Sequence, residues 1–163
     1  MPNGLYERDA LAWAEQQAAL LRRLAAGEGV SEAVDWPNVI EELQDVGLSE
    51  LRACRSLLQQ AMGHLLKLYA LPDCQDATHW RDEAGTFLDD AEQRFTPSMR
   101  QRIDLDELYA KALRRARVVL ADSNVPSRTL PEVCPFLMSE LLGGNVGDLV
   151  VRLNTSVLPG TSE

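Results

Sequence analysis

LSELRACRSLLQQAMGHLLKLYAL, residues 48–71, is the stretch whose reading decides the fold. Leu51, Cys54, Leu58, Ala61, Leu65 and Leu68 recur at the spacing of one helix face, and Leu57, Met62, Leu66 and Tyr69 widen the stripe beyond a two-position seam. A helix apolar over so much of its circumference needs cover from more than one side. The stretch therefore predicts a central helix with others packed around it. It should stop before Leu71–Pro72, because the residue preceding a proline is pushed out of helical geometry.

Upstream, LYERDALAWAEQQAALLRRLAA at 5–26 is amphipathic and rich in strong helix formers, and Gly27 and Gly29 close it. Asp35, Trp36 and Pro37 open a further helix: Asp35 can cap free N–H groups, and Pro37 sits in the first turn where its missing donor costs nothing. Val39, Ile40, Leu43 and Val46 form its apolar side. At Gly47 the chain either breaks and recaps at Ser49 or runs through at a cost of about 1 kcal/mol.

Downstream, 76–95 places Trp80, Ala84, Phe87, Leu88, Ala91 and Phe95 on one side of a helix, with Asp82, Glu83, Asp89, Asp90 and Glu92 largely on the other. A helix from Asp104 or Asp106 to about Asp122 keeps apolar spacing from Leu105 to Leu120. A loop containing Pro126, Pro131 and Pro135 then leads to a short helix around Phe136–Leu142, ended by Gly143 and Gly144. The prediction is a single-domain all-α helical bundle of about five main helices plus a short C-terminal helix, occupying 1–144. Residues 145–163 read as a peripheral tail, in which VGDLVVRLNTSV is a short strand or a last helical turn.

With 163 residues, 45% of them hydrophobic, the chain can bury a core without disulfides or a structural metal. Its net charge of −9 repels phosphate, which argues against nucleic acid and anionic membrane surfaces as partners. Another protein is the expected partner, a second copy included. Cys54, Cys74 and Cys134 are odd in number and widely spaced, as expected for reduced thiols in a cytoplasmic protein. No cationic leader with an apolar run opens the sequence, and nothing approaches the roughly 20 apolar residues that span a bilayer.

Laid out in this order, LYERDALAWAEQQAALLR at 5–22, DWPNVIEELQDVG at 35–47, HLLK at 64–67, HW at 79–80 and LPEVCPF at 130–136 make the chain resemble the bacterial family catalogued as domain of unknown function 29. That resemblance covers about the first 140 residues and implies an all-helical fold; it brings no established activity with it. Two departures stand out. The segment after His79–Trp80 is acidic where relatives often carry basic sequence, and the tail beyond Gly144 looks added to the usual domain.

The most site-like set combines Glu41, Glu42 and Asp45 with His64, Lys67 and Trp80. Glu41 and Asp45 share a helix face, with Glu42 adjoining. Were their helix to pack against the central one, Glu42, Asp45 and His64 could converge as metal ligands, as carboxylates and histidines do inside bundles. Against this, the Glu-x-x-His pairs of di-iron bundles are absent, and first-turn acids are explained by the helix dipole. A magnesium-dependent pyrophosphatase pairing Glu42 and Asp45 with Asp82, Glu83, Asp89 and Asp90 has the wrong spacing in its second half. Trp80 reads as a core anchor, His79 as its exposed neighbour, and Lys111, Arg114, Arg115 and Arg117 as a solvated face. No cofactor is indicated. The sequence thus leans toward a protein acting by association without catalysis, the alternative being a metal-binding or metal-assisted hydrolase site.

Overall fold

The computed structural model describes residues 4–157. Its α-helices are α1 (Leu5–Arg8), α2 (Ala10–Ala25), α3 (Trp36–Ala70), α4 (Ala77–Arg94), α5 (Leu105–Asp122), α6 (Met138–Leu141) and α7 (Val146–Val157), with single 3-10 turns at Ser31–Ala33 and Pro97–Met99. No strand occurs among the described residues, so the all-α prediction holds. Two compact units divide the chain, residues 1–49 and 50–163.

Of the two courses left open at Gly47, the chain takes the run-through: both sides belong to one helix, the 35-residue α3. Breaking a helix leaves unpaired backbone groups at both new ends, whereas a single interior glycine costs only about 1 kcal/mol. Gly47 lies in open space, with nothing within 4 Å of where a Cβ would stand. Conversely, the single helix expected over 5–26 is two. Asp9 leaves helical geometry and its Oδ1 accepts from the Ala12 N–H at 3.0 Å, starting α2 afresh. Gly27, at a φ of +88°, follows the end of α2 in the left-handed conformation expected there.

In the first unit a small core of Trp13, Val34 and Val39 is buried, with Leu5, Tyr6, Leu20 and Leu21 packed half-buried against it. Asp35 ties this core together. Its Oδ2 accepts from the Trp13 indole N–H at 3.1 Å and from the Asn38 amide at 2.7 Å, while its own N–H donates to the buried Gln17 at 2.8 Å. The Asn38 bond, then the Trp13 bond, hold the Asp35 carboxyl below its usual range.

The second unit is built on the C-terminal part of α3, where Cys54, Leu58, Ala61, Met62, Leu65 and Leu66 are fully buried. Trp80, Ala84, Leu88 and Ala91 of α4 are buried as well, as are Leu108, Tyr109, Ala112, Leu113, Ala116 and Leu120 of α5. Asp104 caps α5 by accepting from the Glu107 N–H at 3.1 Å. The proline-containing loop is pinned rather than loose. Tyr109 donates its hydroxyl to the Pro131 carbonyl at 2.7 Å, and the Arg128 N–H satisfies the Ala70 carbonyl at the end of α3 at 3.1 Å.

The expected peripheral tail is corrected as far as Val157; residues 158–163 lie outside the described residues. Residues 146–157 form the three-turn α7, whose Leu149 and Leu153 are 2% and 0% exposed. The start signal is a reciprocal cap: the Asn145 Oδ1 accepts from the Asp148 N–H at 2.9 Å, and the Asn145 amide donates to the Asp148 carboxylate at 2.7 Å. Gly144 makes the preceding turn possible. A Cβ there would stand 2.2 Å from the Glu140 carbonyl oxygen.

Two stability measurements check these assignments by denaturant unfolding. Gly47→Ala should raise stability by about 0.5–1 kcal/mol, because the new methyl meets nothing and the helix gains propensity. Leu153→Ala should cost about 2–5 kcal/mol, the range for a buried leucine; a change within about 0.5 kcal/mol would mean that α7 is surface decoration.

Candidate functional site

The residues singled out from the sequence fall into two places. Glu41, Glu42 and Asp45 are exposed in the first three turns of α3 and belong to the first unit. There the Tyr6 hydroxyl donates to Glu42 Oε1 at 2.6 Å. That hydrogen bond, followed by lost hydration and the charges of Glu42, Glu41 and Asp45, pushes the Tyr6 hydroxyl up to about 12.

His64, Lys67 and Trp80 belong to the second unit. The convergence of Glu42, Asp45 and His64 required two packed helices, but α3 is a single one. Among the described residues no three of His, Cys, Asp and Glu are placed to hold a metal ion. Asp82, Asp89 and Asp90 are exposed on α4, as a solvated acidic face would be.

What His64 meets is Glu83. Its Nε2 lies 3.0 Å from Glu83 Oε2, and His79 Nε2 approaches the same oxygen at 3.6 Å. Both histidines of the chain thus gather on one carboxylate. The His64 ring stacks on Phe87 with centroids 5.5 Å apart, and its side chain is only 15% exposed against 64% for His79. Its Nδ1 is buried without a hydrogen-bond partner. Burial, then the Lys67 charge, lowers the His64 pKa against the opposing pull of Glu83.

Lys67 sits 5.1 Å above the buried Trp80 ring, a cation–π contact on one face of the core anchor. Burial lowers its pKa, against the charges of Glu83 and Asp76. Alongside, Gly63, His64 and Lys67 of α3 and Ala112, Arg115 and Ala116 of α5 line a groove of about 180 Å³. The small residues leave the room, and the cations edge it. Glu83, Phe87 and Arg115 were not separated from their helix faces in the sequence. The His79-x-x-x-Glu83 spacing was the available signal for the first of them, since i and i+4 share a face.

Two of the cysteines, Cys54 and Cys134, offer little nucleophilic character. Cys54 is fully buried and Cys134 half-buried, and burial raises both thiols above their ordinary value. No helix among the described residues is long and apolar enough to cross a membrane.

The family model described as "Domain of unknown function DUF29" matches residues 5–145, nearly the whole of the ordered helices up to the start of α7. The chain belongs to this family. A crystal structure of an alpha-helical protein of unknown function from Rhodospirillum rubrum, at 1.45 Å resolution, is similar to this DUF29 chain with a TM-score of 0.71 and 29% identity, covering 91% of this chain and 96% of that one. No curated protein matches it. The likeness to that solved structure agrees with the all-helical fold, the family's description names no chemistry, and α7 lies beyond the matched residues.

The buried imidazole gives a signed pH dependence. The unfolded chain takes up the His64 proton near 6.5, whereas the folded protein binds it only at lower pH. The contribution is therefore complete above that value and is lost as pH falls below it, until the lowered folded pKa is reached. In urea unfolding between roughly pH 7.5 and 5, His64→Gln should flatten the decline in stability.

Proposed function

We propose that the protein acts by binding another protein through the N-terminal half of α3, without catalysis of its own. The observation that supports this reading is a row of large apolar side chains left in water on that helix. Trp36, Ile40, Leu43 and Val46, spaced at i, i+4, i+7 and i+10, are 38%, 51%, 70% and 65% exposed. Single exposed apolar residues are ordinary, but four along one side of a helix mark a surface that removes area from water when covered.

The composition of the first unit suggests what covers it. Residues 1–49 hold nine acidic and three basic side chains, with Glu41, Glu42 and Asp45 interleaved among the apolar row. Two copies meeting there would bring like charges together, which is unfavourable. An amphipathic helix with an apolar stripe flanked by lysine or arginine complements both the shape and the charge.

A Leu/Lys amphipathic helical peptide is a direct probe of this surface. Its addition should shift the Trp36 fluorescence to shorter wavelength, saturably and with a strong salt dependence. The double variant Ile40→Glu, Leu43→Glu should weaken binding by tenfold or more, since each side chain contributes about 1.5–3 kcal/mol when fully buried. Equal binding by the double variant would end this reading. Sedimentation showing a dimer that the same substitutions dissociate would make a second copy the occupant instead.

A further inference from the structure

We propose that the groove between α3 and α5 binds a small monocarboxylate with an apolar body, its carboxylate held between Lys67 and Arg115 and its body against Gly63, Ala112 and Ala116. This site is independent of the apolar row on the N-terminal half of α3.

The charge pattern carries the argument. In a chain of net charge −9, six cations are paired with acids among the described residues: Arg23 with Glu28, Arg55 and Lys111 with Glu107, Arg94 with Glu50, Arg117 with Glu132 and Arg152 with Glu140. Lys67 and Arg115 edge one groove, and among the described residues neither forms an ion pair. Lys67 has only the Trp80 ring beneath it, and the nearby Glu83 carboxylate already faces both histidines. An anion would give the half-buried Lys67 ammonium a direct ion pair in addition to the nearby charges of Glu83 and Asp76, and Arg115 offers a planar fork matching a carboxylate.

The floor and size select among anions. Ala112 and Ala116 are buried, and a Cβ placed at Gly63 would meet nothing within 4 Å, so the groove is open over a small apolar base. Its volume of about 180 Å³ lies below the ~300–1,000 Å³ of drug-sized sites, which limits the occupant to a small molecule. The acidic chain as a whole disfavours polyanions. One negative charge on an apolar body satisfies both conditions.

Titration of the full chain with benzoate, pentanoate and inorganic phosphate at low salt, followed by amide NMR shifts, tests the proposal. Both carboxylates should saturate in the millimolar range or below, with the largest shifts at Gly63, Lys67 and Ala116, and phosphate should bind about tenfold more weakly or worse. Lys67→Met and the exposed-site variant Arg115→Gln should each weaken carboxylate binding by about tenfold. Gly63→Leu, which fills open space, should abolish it with the melting temperature retained. Failure of both carboxylates to saturate, phosphate binding as tightly as they do, or affinity unchanged in Arg115→Gln would each overturn the assignment. None of these outcomes bears on the peptide experiment at Ile40 and Leu43.

Discussion

The structure depends on removing the flank of α3 between Leu51 and Leu71 from water. Six of its residues have no exposed surface at all, and they occupy more of the helix circumference than one neighbour can cover. Hydrophobic burial is proportional to area and indifferent to direction. It therefore recruits α4 and α5, and it draws down the loop after α5 through Leu130 and Phe136, both buried. Directional bonds then fix the loop's position. The Arg128 N–H closes the last turn of α3, and the Tyr109 hydroxyl holds Pro131, with the Phe136 ring edge-on to Tyr109 at 6.2 Å.

The N-terminal half of the same helix follows a different balance. Among its described residues the unit containing it has three buried apolar side chains, and much of its order comes from polar ties centred on Asp35. A core that small leaves a unit of this size marginal on its own. The apolar row on α3 is consequently area available for stabilisation by something else.

His64 illustrates how a polar residue becomes part of a core boundary. Stacked on Phe87 and facing Glu83, it retains one buried nitrogen without a partner. Leaving such an atom unpaired is unfavourable. Its tolerance here reflects packing on the neighbouring ring and the adjacent carboxylate. Lys67 behaves similarly, its ammonium set over the Trp80 ring while the residue lines the groove.

Periodicity in the sequence determined the helices at 77–94 and 105–122 to within a residue or two and the C-terminal end of the helix at 10–25, along with the buried face of 51–71 and the core role of Trp80, because 3.6-residue spacing of apolar side chains is a local property. It also contained the Asn145-x-x-Asp148 cap and the Leu149–Leu153 pair of α7, which a short, capped segment hides among strand-like valines. Whether Gly47 breaks a helix, and whether Asp9 does, turns on differences of about 1 kcal/mol that tertiary context settles. The meeting of His64 with Glu83, and the placing of Lys67 and Arg115 on one groove, was decided only by the tertiary structure, because the juxtaposition of residues on separate helices depends on their packing, which local spacing does not encode.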